Sequence, residues 1–81
     1  MSRPEYTLFH RIAGPESARV RLQVVELGLK PRIDFLNAET DGQAELARLG
    51  GSATPALWDG QRLIAGAGPV GLELRRIKRG R

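Results

Sequence analysis

The residues of this chain that could do chemistry are few, and they fall at two places. The first is the run holding Arg11, Gly14, Pro15, Glu16 and Ser17. Pro15 suits the first turn of a helix, where its missing N–H costs nothing. The free N–H groups and the dipole of such a helix start favour an anion, so a small carboxylate or phosphate is the ligand chemistry to expect, with Arg11 and Arg19 adding charge. Every helix has such an end, however, and most hold only water. Ser17 contributes a hydroxyl with no base near it in sequence, which leaves it a poor nucleophile. The second place is the C-terminal end, where Arg75, Arg76, Lys78, Arg79 and Arg81 make five of the last seven residues basic. These cations would suit phosphate contacts, with steep salt dependence. They equally suit the C-terminus of a helix, whose dipole they complement. With four aromatic residues in all and no nucleic-acid motif, a solvated helix end is the stronger reading and nucleic acid the weaker one.

Composition removes several classes of function. The chain has 81 residues and no cysteine, so disulfides, thiolate ligation and thiol redox chemistry are excluded. One histidine cannot build a metal site alone. No stretch approaches the roughly 20 apolar residues of a membrane span, and the opening Met-Ser-Arg-Pro-Glu has no apolar core of a signal peptide. The expectation is a cytoplasmic protein without membrane contact, formed as one domain over residues 1–81. That length lies close to the lower limit for a core without staples. The net charge of +4 is mild but unevenly spread, with five basic residues and no acidic one in residues 75–81.

The elements that must position these residues are clearly punctuated. Tyr6 to His10 is rich in β-formers and follows Pro4, which predicts a strand. From Ser17 the apolar residues Val20, Val24 and Leu27 recur at helical spacing, with Leu22, Val25 and Leu29 widening the face. Gly28 fits a left-handed helix stop, with Leu29 making the contact of a Schellman cap, and Pro31 forbids continuation. Arg32 to Leu36 alternates as a second strand. Thr40 and Gln43 resemble a capping box opening a short helix through Leu46 and Leu49, closed by Gly50-Gly51. Pro55 to Trp58 and Arg62 to Ala65 read as a hairpin across Asp59-Gly60, a type I′ signal. Behind Pro69, the stripe Val70, Leu74, Ile77 predicts a last helix. Its Gly71 costs about 1 kcal/mol relative to Ala. Tyr6, His10 and Trp58 all lie within strand patterns; Tyr6 is assigned to structure, and His10 and Trp58 to packing or a satisfied hydrogen bond.

The order β-α-β-α-β-β-α, in this length, is an α/β thioredoxin fold with a four-stranded mixed sheet and three helices. The chain resembles a glutaredoxin-like domain, or the N-terminal domain of a glutathione S-transferase, from about Tyr6 to Leu74. The carriers are Thr7-Leu8-Phe9-His10-Arg11, Ala18-Arg19-Val20-Arg21-Leu22, Glu26-Leu27-Gly28-Leu29, and Gly51-Ser52-Ala53-Thr54-Pro55-Ala56-Leu57 followed by Asp59-Gly60. No piece is specific alone; their order and spacing are. The resemblance implies a cis Thr54-Pro55 bond. It also implies that the Thr54 backbone would pair with an extended thiol peptide such as glutathione, a short form of strand addition.

Gly14-Pro15-Glu16-Ser17 then occupies the place of the family's Cys-Pro-x-Cys motif, with both sulfurs gone. Thiol–disulfide exchange is impossible, because the chemistry needs a thiolate at the first motif position. Ser17 stands three residues late for a transferase serine, and Tyr6 too early for a transferase tyrosine. In the family, the loop after the fourth strand offers an acidic group to the γ-glutamyl amine. Here it reads Gly66-Ala67-Gly68-Pro69, with no carboxylate and, at Pro69, no amide donor. The surviving ligand contacts would come from Arg11, Gly14, Pro15, Ser17, Thr54, Pro55, Gly66 and Ala67, with Arg48 a further cation for a carboxylate. No cofactor is expected beyond weak glutathione. The expected function is a redox-inactive binding or interaction module for a protein partner or a small thiol or anion. Two alternatives stand beside it: transferase-like chemistry through Ser17, and nucleic-acid association through residues 75–81.

Overall fold

The computed structural model describes residues 4–80, so Arg81 of the basic end and the first three residues of the opening segment lie outside the described residues. Strand β1 (Tyr6–His10) leads into helix α1 (Pro15–Glu26), a single 3₁₀ turn (Lys30–Arg32) and strand β2 (Ile33–Asn37). Helix α2 (Gln43–Arg48), strands β3 (Ala56–Trp58) and β4 (Leu63–Ala65), and helix α3 (Ala67–Arg79) follow. The sheet runs β2-β1-β3-β4, with β1 parallel to β2 and the other pairs antiparallel. This is the expected mixed sheet with three helices, consistent with a small thioredoxin-like α/β fold.

Alternation along β1 divides the core in two. Leu8 faces α1 and α3, where it packs with Val20, Val24, Leu57, Val70, Leu74 and Ile77. Phe9 faces the other way, onto Leu46 of α2 and Ala56. Burying each side chain of this kind stabilises by about 1.5–3 kcal/mol, so these two clusters carry most of the fold.

The stop of α1 forms as its sequence predicts. Gly28 has φ 71°, its N–H donates to Val25 O, and the Leu29 N–H donates to Val24 O. Leu29 is buried behind it. The same pattern closes α2, with Gly50 at φ 85° and the Gly51 N–H donating to Leu46 O.

Four local expectations are corrected. Leu22 and Val25 do not widen the buried face of α1: both are exposed, because the sheet reaches only the side bearing Ser17, Val20 and Val24. The Thr40/Gln43 capping box does not form. Gly42 is the N-cap of α2, and the Thr40 hydroxyl bonds Asp41 instead. The hairpin turn is not type I′, which needs positive φ at both central residues; among the described residues only glycines have it. Trp58 pairs with Leu63, so the turn centres on Gly60-Gln61, and Asp59 Oδ1 accepts the N–H groups of Gln61 and Arg62. Finally, α3 begins ahead of Pro69, with Gly66 as its N-cap at φ 102°. Pro69 falls within the first turn, where a missing donor leaves no gap.

Candidate functional site

The strand register gathers the expected residues at one end of the sheet. Phe9 opposes Ala56, and Ala56 opposes Ala65. One step further along each strand therefore sets the β1–α1 turn beside Thr54-Pro55 and the β4–α3 junction. The Gly66 N–H closes this end by donating to Pro55 O at 2.8 Å. Arg11, Gly14, Pro15 and Ser17 come from the first turn, Thr54 and Pro55 from the approach to β3, Gly66 and Ala67 from the second turn. The Thr54-Pro55 bond is cis, as expected.

The turn from Arg11 to Ser17 is held by its own polar groups. Ser17 is buried, and its Oγ accepts the Arg11 N–H at 3.1 Å. The Gly14 N–H donates to Arg11 O at 3.2 Å. Arg21, one turn further along α1, donates from Nη1 to Arg11 O at 3.0 Å and from Nη2 to Ile12 O at 3.4 Å. Nη1 also lies 3.0 Å from His10 Nδ1. A guanidinium can only donate, so Nδ1 accepts and the imidazole is neutral. Burial, then the positive charge of Arg21, push the His10 pKa below its ordinary value, with Asp41 opposing. The ring also meets Phe35 edge-on, with centroids 5.6 Å apart. Arg21 thus ties the turn, a role that its place among the polar positions of α1 does not signal.

This arrangement bears on each chemistry considered. The Ser17 hydroxyl is an internal acceptor, which accounts for a polar residue in the core without any catalytic duty. Pro15 has no N–H, so the first turn of α1 offers an anion only the Glu16 and Ser17 amides, next to the Glu16 carboxylate. Arg11 is exposed and lies 4.0 Å from Glu39. Arg48 is held by Glu45 and is thereby committed elsewhere. Gly14 has φ −80°, and a Cβ there would meet Arg11 Cβ at 3.5 Å and Ser17 Oγ at 3.6 Å. These are ordinary contacts, so glycine is not required by space at this position.

Thr54 is different. It is half-buried, lies two residues ahead of β3, and among the described residues neither its N–H nor its C=O makes a backbone hydrogen bond. Alongside the same turn lies a cavity of about 210 Å³ lined by Arg11, Gln43, Ser52 and the apolar Leu46, Ala47 and Gly51. Nothing in the sequence marks Gln43 or Ser52 as site residues. Both become neighbours of Arg11 only once α2 folds across the sheet. The larger cavity, about 540 Å³, opens at the far end against Glu5, Leu27, Arg32 and Lys78 and shares none of the expected site residues. Its Arg32 is bound to Glu5 at 2.5 Å.

At the end of α3, Arg76 is paired with the buried carboxylate of Glu73, whereas Arg75, Lys78 and Arg79 are exposed. Among the described residues no group of three or more His, Asp or Glu side chains is placed to hold a metal, and no helix is long and apolar enough to cross a membrane. The chain matches no family model, no curated protein and no solved structure.

Proposed function

We propose that the chain is a redox-inactive, glutaredoxin-like thioredoxin-fold module that binds an extended thiol peptide of the glutathione type, weakly and without turning it over. One observation carries this reading: the N–H and C=O of Thr54 make no backbone hydrogen bond among the described residues, two positions along the chain from Ser52 in the wall of the Arg11 cavity. Two such backbone groups accept a peptide backbone as a further strand would. Arg11, Gln43 and Ser52 supply a cation and two polar groups for a terminal carboxylate. Nothing at Gly66 to Pro69 offers a carboxylate to an ammonium, and an ionic group left without its partner costs a few kcal/mol. Affinity in the millimolar range, about −4 kcal/mol, follows.

Because no residue would engage the ligand's sulfur, reduced glutathione and S-methylglutathione bind equally in equilibrium dialysis, and neither is consumed. A clear preference for the free thiol sinks this reading. So does glutathione conjugation by the purified chain that disappears in Ser17→Ala.

A further inference from the structure

We propose that the solvent face of α1, extended by Leu72 of α3, is the interface of a weak symmetric dimer with a second copy of this chain. The inference is independent of the Thr54 site. Opposite its buried side, α1 carries Pro15, Ala18, Leu22 and Val25, all exposed and following one another every three or four residues. Such spacing aligns them in one stripe. Leu22 and Val25 are each 56% exposed and Leu72 is 68% exposed. The outward face of a surface helix is ordinarily polar, so this stripe is out of pattern.

The charges beside the stripe say what fits it. Arg19 and Glu26 are exposed, lie on the same flank, and form no ion pair within the chain among the described residues. Seven residues apart, they are separated by about 10 Å along the helix, too far to pair with one another. A two-fold axis perpendicular to α1, passing beside Leu22, sets a second α1 antiparallel to the first. Residues of the same flank then meet, so Arg19 of each copy faces Glu26 of the other, twice. Leu22 packs near its own symmetry mate, and Ala18 of each copy lies against Val25 of the other. The patch is thus complementary to itself, as an isologous interface requires.

Helix α3 fits the same axis. Strands β1 and β4 are both antiparallel to β3 and hence parallel to each other, so the helices that follow them run in one direction. Gln23 Nε2 donates to Gly71 O at 3.0 Å, which sets Leu72 level with the middle of α1, close to the axis. Arg75, Lys78 and Arg79 lie further along α3, and the antiparallel arrangement sends the two basic ends to opposite extremities. Their separation along the helices, on the order of 15 Å, exceeds the screening length of about 8 Å. A 12-residue helix is about 18 Å long. The contact is therefore smaller than a standard interface of about 800 Å² per partner and gives a weak, reversible dimer.

Sedimentation equilibrium of the whole chain, up to about 1 mM, tests this. The expected result is a concentration-dependent monomer–dimer equilibrium that Leu22→Glu abolishes while the thermal unfolding of the monomer stays intact. Arg19→Glu and Glu26→Arg each weaken association about tenfold on their own, since two attractive pairs become repulsive. An equimolar mixture of these two variants associates as tightly as the parent, because each supplies the charge the other lacks. A monomer at every concentration overturns the proposal. So does a dimer indifferent to Leu22→Glu, or a mixture that associates no better than either variant alone.

Discussion

Replacing Ser17 with alanine separates a structural hydroxyl from a chemical one. The buried Oγ accepts the Arg11 N–H at 3.1 Å, and a methyl group in its place leaves that donor without its partner. Losing that bond costs about 1–2 kcal/mol, with the part-buried Arg11 amide recovering some of it from water. Alanine returns roughly 0.5 kcal/mol through its better helix propensity. The net expectation for Ser17→Ala is a loss of about 0.5–1.5 kcal/mol, which in a domain of this size lowers Tm by roughly 2–12 °C. Thermal unfolding by circular dichroism reads the shift, and urea titration shows whether the slope m stays constant, as it must if only stability has changed. Arg21→Met removes the other tie on the same turn. Since Arg21 and Ser17 both hold Arg11, the two losses are expected to be non-additive by about 0.5 kcal/mol or more. An unchanged or raised Tm in Ser17→Ala would refute the claim that this hydroxyl serves the fold.

Three further outcomes follow from the same geometry. Gly14→Cys is expected to fold, because a Cβ there meets only ordinary contacts, and its thiol is expected to titrate below the usual value of about 8.5 at the start of α1. The pH dependence of alkylation measures this, and a value at or above the usual one contradicts an anion-favouring helix start. The folded-state pKa of His10 is lowered from 6.5, so the unfolded chain binds more protons in the window just below that value. Stability is therefore full above pH 6.5, begins to fall as the pH drops through it, and has lost the whole His10 contribution below the folded pKa; an NMR titration placing His10 at or above 6.5 removes the basis for this. Gly51→Ala puts a Cβ 2.4 Å from Leu63 Cδ2 and 2.9 Å from Leu46 Cδ1, an overpacking expected to cost about 1–3 kcal/mol in urea unfolding, and a neutral result would mean that the wall of the Arg11 cavity yields easily.

Much of the fold was legible because its signals are local. The period of β1, the proline that opens α1, and the glycines that close α1 and α2 each act over a few residues, and each formed where the pattern set it. The errors arose where tertiary contacts decide. Leu22 and Val25 have the residue type of a core but point away from the sheet, and nothing in the spacing alone says how wide the sheet's footprint on α1 is. Asp59-Gly60 carries a strong hairpin signal, yet the Asp59 carboxylate captures the amides of Gln61 and Arg62 and moves the turn by one residue. Within the site, the positions of Thr54 and Gly14 followed from element order. The ties made by Arg21 and Ser17 did not, because they join residues six to eleven apart whose meeting depends on the angle at which α1 leaves β1.

An amide-resolved NMR titration of the labelled chain with reduced glutathione tests the proposed binding site most directly. Saturable shifts centred on Thr54, Ser52 and Arg11, with a Kd in the millimolar range, are the expected result. An unmoved Thr54 amide at several millimolar ligand, or shifts gathered instead around Glu5 and Lys78 at the far end of the sheet, would contradict it.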